Sequence, residues 1–411
     1  MSGETDSAAD AGATDVRTDS EARARVSAYL YPWDVDGDPG AADRIAGLGL
    51  DGVTLAAAYH AVRAVTPFHP RHRIVTREAA VYYRPAGARW QGAQLAPVQT
   101  DPPGSFERAA ARLSGRGLRV GAWAILTHGC RPGDSPAACV KNAYGDRYPW
   151  ALCAASAAVR DYATALAGEV AALDDADEIE LEACGWYGID HGGAHDKTGG
   201  AATDPAAQWL LSLCFCPACA DGYGRAGADP GELRAAVAAA LDTALGWGQA
   251  GADALLQTGL LSEQMAAAAD RARADAAAQL LREVIAVVRV AGPGKPVLVH
   301  ADPDPRAAGS NPGYDPAVLL GPGGADGIVL SCWDPVAAGP LVARTAKAAP
   351  AGARIAAGLL AVSGLGGRPS TLPGQAEAVL QAGATELRLY HAGLANADDL
   401  DAVQNLCRRE G

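Results

Sequence analysis

Short apolar runs alternate with helix-patterned stretches eight times along this chain, and that alternation constrains its fold more than any other feature. The runs are 25–31 (RVSAYLY), 52–60 (GVTLAAAYH), 119–127 (RVGAWAILT), 178–183 (EIELEA), 296–302 (PVLVHAD), 326–333 (DGIVLSCW), 354–362 and 386–391 (ELRLYH). Most are continuous rather than alternating, as strands buried on both faces of a parallel sheet must be. Helical patterns fall at 41–48, 106–115, 154–173, 315–320, 339–348, 373–382 and 397–408. Eight strand–helix units predict an α/β fold, a closed (β/α)8 TIM barrel. An open doubly wound sheet is the alternative, but no GxGxxG turn follows the first run.

The barrel is expected over 25–411, behind a polar, acidic and disordered tail at 1–24. Long loop insertions on the catalytic face are placed at about 61–104 and 190–230, and 232–290 reads as the fourth helix plus a helical excursion. The tail shows neither a basic n-region nor an apolar h-region, and no run of about 18 apolar residues occurs. These features predict a cytoplasmic protein with no membrane span. A formal charge of −13 without a long basic run excludes nucleic acid and anionic lipid as expected partners. Oligomeric state is not encoded in any recognisable motif. Nine cysteines in 411 residues point to thiols or metal ligands rather than a disulfide framework.

All eight histidines lie at or just beyond the C-terminal end of a predicted strand, where a barrel carries its active site. His60, His69 and His72 follow the second strand, His128 the third, His191 and His195 the fourth, His300 the fifth and His391 the eighth. Glu178, Glu180 and Glu182 alternate with Ile179, Leu181 and Ala183, so period two sends the carboxylates inward and the apolar residues toward the helices. Glu180 is expected in a buried network with arginine, and Glu182, nearest the mouth, in catalysis. Asp34, Asp190, Asp302, Asp304 and Asp334 reach the same rim, beside Trp33, Trp186 and Trp333. Carboxylates flanked by indoles suit a sugar, and glycoside cleavage needs two carboxyl groups. Asp34 and Asp334 have an alternative role in turns or helix caps.

On these residues the chain resembles the glycosidase-like TIM barrels of the large retaining clan that includes the β-galactosidases. The resemblance covers 25–408 at fold level and is most specific at 152–162 (LCAASAAVRDY) and at the glutamate-bearing fourth strand. It implies an acid/base glutamate at the end of that strand, which Glu182 matches. It also implies a nucleophilic glutamate ending the seventh strand, where this chain reads GLLAVSG at 358–364 without a carboxylate. The second carboxyl group is then expected from Asp334 or Asp302.

Cys214, Cys216 and Cys219 form a CxCxxC motif whose thiols can converge on one tetrahedral Zn2+, with Cys184, Cys153 or a histidine as fourth ligand. The resembling clan includes enzymes with such a structural zinc near the barrel mouth; otherwise no cofactor is required. The expected function is cleavage or transfer of a glycosidic bond in a small carbohydrate. Glu182 and Asp334 or Asp302 would act on the bond. Trp33, Asp34, His60, His128, Trp186, His191, His195, His300, Trp333, Tyr390 and His391 would form the sugar site. Two alternatives stand beside it: a metal-dependent hydrolase or lyase using the histidine-rich mouth, and a catalytically inactive carbohydrate-binding barrel.

Overall fold

The structure, a computed structural model, describes residues 23–100, 103–129, 137–191, 196–198, 205–247 and 261–410. Eight parallel strands close into a barrel: β1 (Arg25–Leu30), β2 (Gly52–Tyr59), β3 (Arg119–Ile125), β4 (Glu178–Glu182), β5 (Val297–His300), β6 (Gly327–Ser331), β7 (Arg354–Leu360) and β8 (Glu386–Tyr390). Each pairs with the next in chain order, and β8 pairs with β1, Glu386 opposite Arg25, which closes the ring. Every predicted run contains its observed strand. The fold is the (β/α)8 TIM barrel that the eightfold alternation requires. Closure removes both sheet edges, so strands such as β2 are buried along their whole length.

The helices are α1 (Ala41–Ala46), α2 (Ser105–Ser114), α3 (Ala157–Ala171), α4 (Pro205–Leu211), α5 (Pro217–Arg225), α6 (Pro230–Trp247), α7 (Glu263–Ala291), α8 (Pro316–Leu319), α9 (Pro335–Ala348), α10 (Leu372–Gln381) and α11 (Ala397–Glu410). The longest, α7, begins where the Ser262 hydroxyl accepts the Met265 N–H, a standard N-cap. Its buried stripe Ala266, Ala269, Ala277, Leu280, Leu281, Val284 and Val288 keeps helical spacing and packs on α3. The predicted excursion at 232–290 is thus two helices, α6 and α7; residues 248–260 between them, and residues 1–22 of the tail, lie outside the described residues.

Two hairpins decorate the mouth. Val62–Val65 pairs with Ile74–Arg77 in the loop after β2, and Ala80–Val81 then adds antiparallel to the end of β2. Cys139–Lys141 pairs with Arg147–Leu152 in the loop after β3, turning at Asn142, whose Oδ1 accepts the N–H groups of Tyr144 and Asp146.

The opposite end of the barrel interior is filled by charge. Arg388, wholly buried, donates to Glu178 (2.8 Å), Glu386 (2.9 Å) and Glu180 (3.1 Å). Arg354 bonds to Glu386 and to Glu178 at 2.8 Å. Such a cluster survives burial only because every carboxylate meets a guanidinium. Gly121 of β3 leaves the space for it, since a Cβ there would stand 3.2 Å from Glu178 Cγ.

Candidate functional site

Strand β4 runs from that ionic floor to the mouth, and its inward residues change environment along the way. Ile179 and Leu181 face the helices, fully buried. Between them Glu180 accepts hydrogen bonds from the Tyr29 hydroxyl, His300 Nε2 (2.8 Å) and Arg388 Nε (3.1 Å). Burial alone raises its pKa, but His300 and Arg388 more than offset that and bring it down to about 2. His300 in turn is raised, because Glu180 outweighs the effect of its burial.

Glu182, one inward step higher, has no guanidinium partner. Its Oε2 accepts the Trp123 indole N–H at 2.8 Å, and Ser310 also hydrogen-bonds to the carboxylate. Burial dominates and raises its pKa above the ordinary value. The next residue, Ala183, is the one described non-glycine residue with positive φ, at 50°. A left-handed alanine costs on the order of 1–2 kcal/mol, and this one is placed directly beside the carboxyl group.

Glu182 opens on a cavity of about 870 Å3 at the C-terminal mouth. Tyr29, Tyr59, Trp123 and Tyr390 form its floor; Tyr29 and Tyr59 each lie 4.7 Å from Trp123, centroid to centroid. Trp333, about half exposed, leans on Tyr390 at 5.3 Å. Asp302 supplies a second carboxyl group to the wall, its pKa raised by burial against the Asp304 N–H that its Oδ1 accepts at 2.7 Å. Where β7 meets the cavity it presents Gly358.

Of the sequence candidates, Glu182, Asp302, His60, His191, His300, Trp333 and Tyr390 line this cavity together. His128 stands behind His60, ring centroids 4.5 Å apart, and stacks on Tyr187 at 3.9 Å. Burial lowers His60 to about 4 and His128 to about 3, whereas the Asp190 carboxylate raises His191. Asp334 is not brought to the cavity: exposed at the N-cap of α9, it accepts the Val336 N–H at 2.9 Å, the capping role its Asp-Pro context allows. Trp33, Asp34 and His391 sit beneath the wall rather than in it. Tyr31 stacks between Trp33 (4.5 Å) and His391 (4.3 Å), and Asp34 accepts the Tyr31 N–H, its pKa pushed by burial to about 7. Trp186 turns away, donating its indole N–H to the Arg273 carbonyl. His195 lies outside the described residues. The sequence reading missed Tyr29, Trp123 and Arg388; their inward parity on β1, β3 and β8 was the signal available.

The cysteine motif closes into a cluster with Cys153, rather than Cys184 or a histidine, as its fourth member. Ligand atoms of Cys153, Cys214, Cys216 and Cys219 all lie within 4.8 Å of one another, every residue buried. Cys184 is not among them; it is buried separately, its thiol pushed up to about 12 by burial. Cys153 Sγ lies 3.4 Å from Cys219 and 3.6 Å from Cys216, near the ~3.8 Å edge of a tetrahedron with Zn–S of about 2.3 Å. The Lys141 N–H points at Cys214 Sγ (3.4 Å), and hydrogen bonding that begins with Cys153 lowers the Cys214 and Cys216 thiols. Beside the cluster, all three guanidinium nitrogens of buried Arg273 lack a hydrogen-bond partner, the guanidinium carbon lying 5.5 Å from the centre of the Trp186 ring. An anionic tetrathiolate metal centre fits both the sulfur spacing and that orphaned cation. These four residues could hold a metal ion.

No family model matches the sequence, and no curated protein matches it. Among solved structures the chain is similar to the PgaB (BpsB) glycoside hydrolase domain from Bordetella bronchiseptica, with a TM-score of 0.58, 17% identity, and 94% of this chain and 99% of that one covered. It is also similar to a β-galactosidase from Marinomonas ef1 (TM-score 0.55, 9% identity, 93% of this chain and 59% of that one). A third is α-L-fucosidase isoenzyme 2 from Paenibacillus thiaminolyticus (TM-score 0.54, 13% identity, 94% and 49%). The chain therefore spans almost all of the Bordetella domain but only about half of the other two. At these identities the likeness is one of fold: the chain is a (β/α)8 TIM barrel similar in fold to these glycoside hydrolase structures.

Proposed function

We propose that the chain is a glycoside hydrolase-like enzyme that cleaves or transfers a glycosidic bond of a small carbohydrate. The observation that carries this reading is Glu182: a buried, raised carboxyl group held by an indole N–H, opening on an aromatic-floored cavity at the barrel mouth. A carboxyl group whose pKa burial raises above the ordinary carboxylate range can give its proton to a leaving oxygen and later take one from water. Asp302 is the second carboxyl group, acting as nucleophile or opposing base. Tyr29, Tyr59, Trp123, Trp333 and Tyr390 offer faces for sugar C–H groups, with the His60 and His191 imidazoles for hydroxyls. The similar structures, a glycoside hydrolase domain, a β-galactosidase and a fucosidase, agree with this substrate class. In the cysteine cluster the same reading places one structural zinc.

The second reading is a barrel that binds carbohydrate without turnover, favoured by the glycine where β7 meets the cavity. A panel of chromogenic glycosides tested on wild type, Glu182→Gln and Asp302→Asn separates the two. Turnover lost in both variants supports catalysis. Sugar binding by calorimetry with no turnover on any glycoside supports the binding barrel.

A further inference from the structure

Three imidazoles meet at the rim of the cavity, each from the loop after a different strand: His60 after β2, His128 after β3 and His191 after β4. Their ring centroids are 4.5 Å (His60–His128), 5.3 Å (His128–His191) and 5.7 Å (His60–His191) apart, and one nitrogen of each lies within 4.8 Å of one nitrogen of the others. Hydrogen bonding settles the tautomer of two of them. His60 Nδ1 is 2.7 Å from the Ala61 carbonyl and His128 Nδ1 is 3.0 Å from the Trp150 carbonyl. A carbonyl only accepts, so each Nδ1 carries the proton and each Nε2 keeps its lone pair. Metal-ligating histidines are commonly oriented in this way, with the second ring nitrogen donating to a carbonyl or a carboxylate. His191 has a carboxylate at ion-pair range: Asp190 Oδ1 stands 3.6 Å from its Nδ1 and accepts its backbone N–H at 2.8 Å, while the Tyr187 hydroxyl lies 3.3 Å from either ring nitrogen.

We propose that His60, His128 and His191 form a second metal site, one that takes a first-row divalent cation such as Zn2+ or Co2+. Three imidazoles are a nitrogen donor set that suits these ions and leaves a coordination position open. Tetrahedral nitrogen ligands at about 2.0–2.1 Å stand about 3.4 Å apart. The half-exposed His191 ring has room to close the gap by side-chain rotation. His60, His191 and Asp190 also line the cavity that holds Glu182, so the open position faces the proposed substrate space and accepts water or a substrate oxygen. The contrast with the cysteine cluster is chemical: four buried thiols make a closed site, three imidazoles with two of them on the cavity wall an open one.

This inference does not rest on the glycosidase reading, because its test is metal binding rather than turnover. The full chain is stripped with chelator and titrated with Co2+, reading stoichiometry by plasma mass spectrometry and ligand type by visible absorption. Wild type is expected to bind two equivalents. Cys216→Ser keeps one, whose spectrum lacks sulfur-to-cobalt charge transfer; His128→Ala loses that one and keeps the sulfur-ligated one. Asp190→Asn weakens the histidine-bound ion about 10–100-fold. His60→Gln repeats the His128 test with a polar side chain, and far-UV circular dichroism confirms that each variant is folded. A Cys216→Ser protein that is folded yet binds no cobalt overturns the proposal. So does an unchanged nitrogen-ligated spectrum in His128→Ala and His60→Gln.

Discussion

Glu180 and Glu182 are the same residue on the same face of the same strand, two positions apart, yet the protein treats them in opposite ways. At Glu180 a guanidinium, an imidazole and a phenol converge, and the carboxylate is held ionised with a pKa of about 2. At Glu182 one indole N–H and Ser310 are the neighbours offered, and burial raises the pKa instead. At the floor every carboxylate meets a guanidinium, while at the mouth Glu182 and Asp302 accept hydrogen bonds from neutral donors instead. Depth along a strand, rather than residue type, decides whether a buried glutamate serves structure or chemistry.

The comparison breaks most sharply at the mouth. Glu182→Gln keeps the shape and still accepts the Trp123 N–H, so folding should be preserved while glycoside turnover falls about 10²–10⁴-fold; initial rates beside a thermal melt check both halves. At the floor the outcome inverts. Arg388→Met removes the cation shared by Glu178, Glu180 and Glu386, and the uncompensated charge should cost about 3–5 kcal/mol in urea unfolding.

Acidity gives the two glutamates opposite signatures. Glu180, lowered, contributes stability above the ordinary value of 4.5 that is lost as pH falls toward about 2. Glu182, raised, contributes stability below 4.5 that is lost as pH rises through its folded value. The stability of Glu182→Gln relative to wild type should therefore increase as pH rises above 4.5, whereas the deficit of Glu180→Gln should shrink as pH falls from 4.5 toward about 2. Denaturant midpoints across that range read both signs. The smallest effect belongs to Asp334→Ala, which removes a helix cap at a cost of about 1 kcal/mol. Turnover should be retained, because that carboxylate is spent on the Val336 N–H.

The barrel was legible because its signals are local. Each strand is a buried run, and period two on β4 sends three glutamates inward without knowledge of any other strand. What was not legible depends on distant partners. Arg388 lies 208 residues from Glu180, and its parity in ELRLY turns it inward without naming the glutamates it would join. Cys153 lies 63 residues from Cys216, so the sequence left the fourth ligand open between Cys184, Cys153 and a histidine. The choice between Asp302 and Asp334 hinged on whether the carboxylate turns into the mouth or back onto its own helix. Asp-Pro at the start of α9 turns Asp334 back, and a loop that bonds Asp302 to Tyr314 through the backbone leaves Asp302 on the wall.

The central claim is that Glu182 is a buried carboxylic acid kept neutral above its ordinary pKa. Difference infrared spectroscopy of wild type against Glu182→Gln, titrated upward from pH 4.5, reads that proton directly. A protonated-carboxyl C=O band present above pH 4.5 in wild type and missing from the variant is the predicted result. Identical C=O regions in the two proteins above pH 4.5 would mean that Glu182 is ionised like Glu180, contradicting the account.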